Sequence, residues 1–151
     1  MPRPGDQAPD ITLPSTAGEV RLSDLWSHGK LALAFYTEDS TPLCSSEIAM
    51  LRDDYAIIKG LGASVVAISA DTVESHDDFI SRLGGIPFPL LSDSMLEAAR
   101  AYDVMDDAGK RSRRAVFVIE QGGCIIHAEP WFQPGNSTQY EAVFLALGFQ
   151  P

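Results

Sequence analysis

Apolar positions along the chain follow two rhythms. LALAFY (31–36) and SVVAISA (64–70) are short, continuously apolar runs, the pattern of strands buried on both faces. Between them Ile48, Leu51, Tyr55 and Ile58 recur at helical spacing, which predicts a helix over 42–60 with one inward stripe. A leading hairpin is predicted from ITL (11–13) and EVRL (19–22) across PSTAG, followed by a short helical turn at SDLW (23–26) with Ser23 as N-cap. A polar helix over 73–83 gives way to GGIPFPLL, where Pro87 and Pro89 exclude a helix. SMLEAARAY (94–102) has a helical pattern, AVFVIE (115–120) and CIIHAE (124–129) form a hairpin across QGG, and STQYEAVFLALG (137–148) closes the chain as a helix. Alternating strands and helices followed by a late hairpin predict a three-layer α/β domain, with a central mixed sheet between helices.

Composition narrows the classes of partner. A chain of 151 residues with 45% hydrophobic content suffices for one domain, expected to span residues 1–151. A formal net charge of −10 repels phosphate backbones and anionic membrane surfaces at long range, so neither nucleic acid nor membrane is an expected partner. MPRPGDQAPDITL has no apolar core of the signal-peptide kind, and no segment approaches a membrane span. The cytoplasm is the expected compartment. Cys44 and Cys124 form no CxxC pair, and His28, His76 and His127 show no ligand-like spacing, so no disulfide framework, metal or cofactor is expected.

Cys44 lies where the first buried strand gives way to the helix, four positions before Ile48 on the inward stripe. Thr41 suits the N-cap and Pro42 the N1 position, which puts Cys44 at N3. Unpaired N–H groups and the helix dipole stabilise a negative charge there, and a thiolate is the nucleophilic form of cysteine. A lone cysteine on an apolar stripe also fits a small buried hydrophobe; position by itself leaves both readings open.

Several separate stretches, in order, turn this into a resemblance: PGDQAPDITLP with GEVRLSDL, FYTEDSTPLCSSE, FPLLSD and RAVFVIEQGG. Together they resemble the peroxiredoxins, most closely their Q type, the bacterioferritin comigratory proteins. The resemblance implies a thioredoxin-like sandwich and a thiol peroxidase that reduces hydrogen peroxide and small organic hydroperoxides. It makes Cys44 the peroxidatic cysteine, Thr41 a hydroxyl donor to the peroxide, and Arg114, three residues before Phe117, the arginine of the site. Glu47 takes the acidic position that orients the arginine. Such residue types suit the chemistry, because breaking an O–O bond by thiolate attack needs a deprotonated sulfur, donors to the peroxide and stabilisation of the departing oxygen. Taken singly, Thr41 also fits a cap, Glu47 a first-turn carboxylate, and Arg114 a member of the solvated basic cluster KRSRR (110–114).

Two positions depart from the family pattern. Thr37 stands where the family has proline, which leaves the thiolate wetter or adds a hydroxyl to the site. Ala49 occupies the position of the Q-type resolving cysteine, and SMLEAARAY contains none either. Cys124, beside Ile125 and Ile126, fits a buried structural role. The expectation is therefore a one-cysteine cycle without a cofactor, reset by thioredoxin or another external thiol, in a monomer or weak homodimer. The alternative is a redox sensor or interaction module that retains the fold without peroxidase activity.

Overall fold

The computed structural model describes residues 2–150. Its elements run β1 (Thr12–Ser15), β2 (Gly18–Arg21), α1 (Leu22–Trp26), β3 (Leu31–Phe35), α2 (Pro42–Asp53), α3 (Tyr55–Gly60), β4 (Ser64–Ser69), α4 (Val73–Arg82), β5 (Leu90–Ser92), α5 (Glu97–Ala101), β6 (Ala115–Ile119), β7 (Ile125–Glu129) and α6 (Ser137–Ala146). The strands make one seven-stranded sheet in the order β2-β1-β5-β4-β3-β6-β7. β3 runs parallel to β4 and antiparallel to β6, so the sheet is mixed, as expected.

Strand β3 shows how the layers are assigned. Side chains alternate between the faces of a strand. Leu31, Leu33 and Phe35 join Trp26, Ala98, Tyr102 and Phe117 on the face covered by α1 and α5. Ala32, Ala34 and Tyr36 join Cys44, Ile48, Phe79 and Phe144 on the face covered by α2, α4 and α6. Two alanines on that second face leave room for α2 to lie close to the sheet. On the first face Tyr102 and Phe117 rings lie 5.2 Å apart, and Phe35 and Phe117 meet edge-on at 6.1 Å.

Four expected boundaries shift, each for a local reason. Ser23 is not the cap of α1: the helix starts at Leu22, and the Ser23 N–H donates to Asp10 Oδ1 at 3.0 Å, so a distant carboxylate does the capping. The helix expected over 42–60 is interrupted at Asp54, where the Tyr140 hydroxyl meets the Met50 carbonyl at 3.3 Å and donates to Asp54 Oδ2 at 2.7 Å. Helix α5 begins only at Glu97, after Leu96 turns left-handed at φ 58°, because the Asp93 carboxylate accepts the Ala98 and Ala99 N–H groups. Cys124 lies just before β7 rather than in it, bridged to Gln7 and half-buried.

No helix among the described residues is long and apolar enough to cross a membrane. The aromatic packing gives a direct test of the core. Replacing the fully buried Phe117 by alanine is expected to lower the unfolding free energy by about 3–5 kcal/mol in urea titrations. A loss below about 1 kcal/mol would contradict the packing described.

Candidate active site

Strand β3 ends at Phe35, and residues 36–41 cross from the sheet edge to the first turn of α2. Thr41 has the extended backbone of an N-cap (φ −74°, ψ 149°), and Pro42 opens the helix. Cys44 is thus in the first turn, with its sulfur buried. The Thr37 N–H donates to Cys44 Sγ at 3.3 Å. A proline at position 37 would have no N–H to offer. The contact that Thr37 contributes is therefore made by its backbone, and it aims a donor at the atom on which negative charge would reside.

Thr41 caps by position only. Its carbonyl accepts the Ser45 N–H at 2.8 Å, while its hydroxyl turns away from the helix and donates to the Glu38 carbonyl at 3.3 Å. The oxygen keeps its lone pairs, and the N–H groups of the first turn have no intrahelical partner. Ser40, just before it, is held at φ 68°. A non-glycine residue in this region costs on the order of 1–2 kcal/mol and persists only where surrounding contacts fix it.

Glu47 is fully buried one turn along α2, and neither carboxyl oxygen has a hydrogen-bond partner among the described residues. Burial pushes its carboxyl well above the ordinary range, the negative charge of Cys44 adds to the rise, and the Arg114 guanidinium opposes it. Burial therefore favours the protonated form of Glu47, against the pull of Arg114. Arg114 immediately precedes β6, whose Ala115 pairs with Phe35, so it lies across from the end of β3. Its carbonyl accepts the Phe132 N–H, and its buried Nε has no hydrogen-bond partner among the described residues. The expected contact in which Glu47 orients Arg114 is thus not made through a hydrogen bond. The Arg114 charge reaches Glu47 electrostatically and favours its ionised form against burial. Arg114 lines a cleft of about 110 Å³ with Arg113, Trp131, Phe132 and Gln133. Trp131 is exposed at its rim with the Arg113 guanidinium stacked 3.8 Å above its ring, whereas Phe132 is buried in the core.

Two other members of KRSRR are tied to the 36–41 loop. Ser112 is buried, and its hydroxyl donates to the Tyr36 carbonyl at 2.7 Å; Arg111 pairs with Glu38. Lys110 and Arg111 are exposed, as expected of a solvated cluster, while Ser112 is buried and ties the segment to the residues that lead to Cys44.

A second group escaped the sequence reading. His76, buried on α4, faces the Asp39 carboxylate through Nδ1 at 2.9 Å, and its Nε2 lies 2.9 Å from the Leu91 carbonyl. Asp39 also accepts from the Tyr36 hydroxyl at 2.7 Å and the Ser75 hydroxyl at 2.7 Å, while its N–H donates to Asp71 Oδ2 at 2.8 Å. Burial works against both charges. The hydrogen bonds from His76, Tyr36 and Ser75 nevertheless hold Asp39 below the usual carboxylate range, and Asp39 lifts His76 above the usual imidazole value. Ligand-type atoms of Asp39, Asp71 and His76 lie within 4.8 Å of one another. Every one of them is engaged in the hydrogen bonds just given, which makes the group a matched hub rather than an open metal cage. The available signal was His76 itself, three residues before Phe79 on the inward stripe of a polar helix.

Cys124 sits at the opposite end of the sheet from Cys44. The β3–β6 register places Ile119, near Cys124, against Leu31, and Ala115 against Phe35. Four residue steps along a strand span roughly 13 Å, far beyond the reach of a disulfide.

The model of the AhpC/TSA family matches residues 4–128. The putative peroxiredoxin bcp of Coxiella burnetii is 35% identical over 127 residues, covering 80% of this chain and 83% of that protein. Peroxiredoxin 2 of Thermoplasma acidophilum is 34% identical over 122 residues, and the chain spans 60% of its length. The crystal structure of peroxidoxin BcpB from Mycobacterium tuberculosis superposes with a TM-score of 0.87 at 29% identity, covering 97% of each chain. The chain therefore belongs to the AhpC/TSA family, as a peroxiredoxin of the Bcp type.

Proposed function

We propose that Cys44 is the peroxidatic nucleophile of a thiol peroxidase acting on hydrogen peroxide and small organic hydroperoxides. The observation that carries this is the buried Cys44 sulfur in the first turn of α2, receiving the Thr37 N–H at 3.3 Å. The thiolate attacks the terminal peroxide oxygen; an S–O bond forms, the O–O bond breaks, and the departing oxygen takes a proton to leave as water or an alcohol. Thr41 and the first-turn N–H groups hold the peroxide, and the Arg114 guanidinium stabilises charge on the leaving oxygen. Glu47 supports the site from the buried side of α2, and Thr37 supplies its backbone donor. Membership of the peroxiredoxins favours this reading over a sensor without peroxidase activity.

Cys44 sulfenic acid is then reduced by an external thiol, which displaces water to give a mixed disulfide. A second thiol releases the Cys44 thiolate, so that one hydroperoxide and two thiols become one alcohol, one water and one disulfide. The separation of Cys124 from Cys44 supports this one-cysteine cycle. Thioredoxin or another dithiol serves as reductant, in a cytoplasmic protein that works as a monomer or weak homodimer.

Purified protein treated with one equivalent of peroxide is expected to gain one oxygen at Cys44 in intact mass spectra, trapped by a sulfenic-acid reagent. Cys44→Ser consumes no peroxide under the same conditions; equal consumption by both forms would sink the assignment. Cys124→Ser is expected to give the same oxygen adduct as wild type, and loss of two hydrogens through a 44–124 disulfide in wild type would overturn the one-cysteine cycle. Because burial favours the protonated form of Glu47 and neither carboxyl oxygen has a hydrogen-bond partner among the described residues, Glu47→Gln is expected to react with peroxide within about threefold of the wild-type rate. A drop of about a hundredfold would show instead that an ionised Glu47 is required.

A further inference from the structure

We propose that His76 is a positioning residue for Cys44: its ring grips Asp39 and thereby fixes the 36–41 loop so that the Thr37 N–H meets the sulfur. The inference rests on the peroxidatic assignment of Cys44 and deepens it.

The Tyr36 hydroxyl lies 3.2 Å from Nδ1 but gives its proton to Asp39 at 2.7 Å, and with Asp39 ionised one protonation state of the ring suits its neighbours. Nε2 faces the Leu91 carbonyl, which accepts only, so Nε2 carries a proton. Nδ1 lies 2.9 Å and 3.1 Å from the two Asp39 carboxylate oxygens, which also accept only when ionised. Both nitrogens therefore donate, and the ring is a cation buried against a carboxylate. The ionisable groups around it are Asp39 from the loop, Asp71 beyond β4 and Tyr36 beyond β3; β5 presents only the Leu91 carbonyl, and Ser75 comes from α4 itself. Asp39 is two residues from Thr37, and the same carboxylate binds the Tyr36 hydroxyl, on the other side of Thr37. Anchoring Tyr36 and Asp39 to α4 fixes the peptide between them. Ser40, next to Asp39, is the left-handed residue of this loop. Without the ring, an uncancelled carboxylate and a loosened loop would each disfavour the thiolate, so both effects have the same sign.

The test uses His76→Ala, which removes the grip, and His76→Asn, which restores a neutral donor near the Nδ1 position. His76→Ala is expected to slow Cys44 sulfenic-acid formation about tenfold and to move the pH profile of Cys44 alkylation by iodoacetamide about one unit higher, with His76→Asn recovering part of both. A folded His76→Ala protein with wild-type peroxide rate and wild-type alkylation profile would reduce His76 to a stability role and overturn the proposal. Should His76→Ala fail to fold, imidazole nitrogen chemical shifts of the wild-type protein at pH 7.5 decide: two protonated nitrogens support the proposal, and a neutral ring refutes it. Alkylation is read without peroxide. A wild-type protein inert to peroxide would therefore defeat the peroxidase assignment while leaving the alkylation comparison to judge His76.

Discussion

The two-residue period of β3 is the constraint from which the rest follows. A strand buried on both faces must send alternate side chains into different cores. Here the large ones, Leu31, Leu33 and Phe35, go to one core, and the small Ala32 and Ala34 go beneath α2. The 36–41 connection brings the first turn of α2, and the cysteine within it, to the carboxyl end of a central strand. In open α/β sheets that end is where binding crevices form. A one-residue slip in register would exchange the faces and put leucines where the helix must lie.

The connection from β3 to α2 is short, yet side chains from distant parts of the chain determine it. α4 supplies His76 and Ser75, the turn after β4 supplies Asp71, and the segment before β6 supplies Ser112 and Arg111. These contacts differ in strength. The Arg111–Glu38 pair is half exposed and screened by solvent, whereas the Asp39–His76 pair is buried, and removing one partner would leave an unbalanced charge in the core. The solvent-facing clamp and the buried one hold the same stretch from opposite sides.

Much of this was legible in the sequence, because continuous apolar runs and helical spacing are local signals. The strands at 31–36 and 64–70, the helix after Thr72 and the placement of Cys44 needed nothing more. What local pattern does not carry is a partner far along the chain. Asp10 capping α1, Tyr140 interrupting the helix at Asp54 and Asp93 delaying α5 are all decided by side chains that tertiary structure brings in. The site divides in the same way. Thr41, Cys44 and Glu47 share one short segment and Arg114 is marked by its place beside a core strand, so a motif identifies them. The Asp39–His76 pair joins residues with no fixed spacing rule, and the role of Thr37 lies in an N–H that every residue except proline has.

Cys124 stands at the far end of the sheet from Cys44, and this sets the character of the enzyme's resting time between turnovers. A nearby resolving thiol would close the sulfenic acid into a disulfide at a rate independent of concentration. In the proposed one-cysteine cycle, the lifetime of the oxidised sulfur is set by how much reductant surrounds it. When thiols are scarce the sulfenic acid persists, and a second peroxide competes for it on the way to the irreversible sulfinic form. The protein's capacity under oxidative load is then limited by the supply of its reductant.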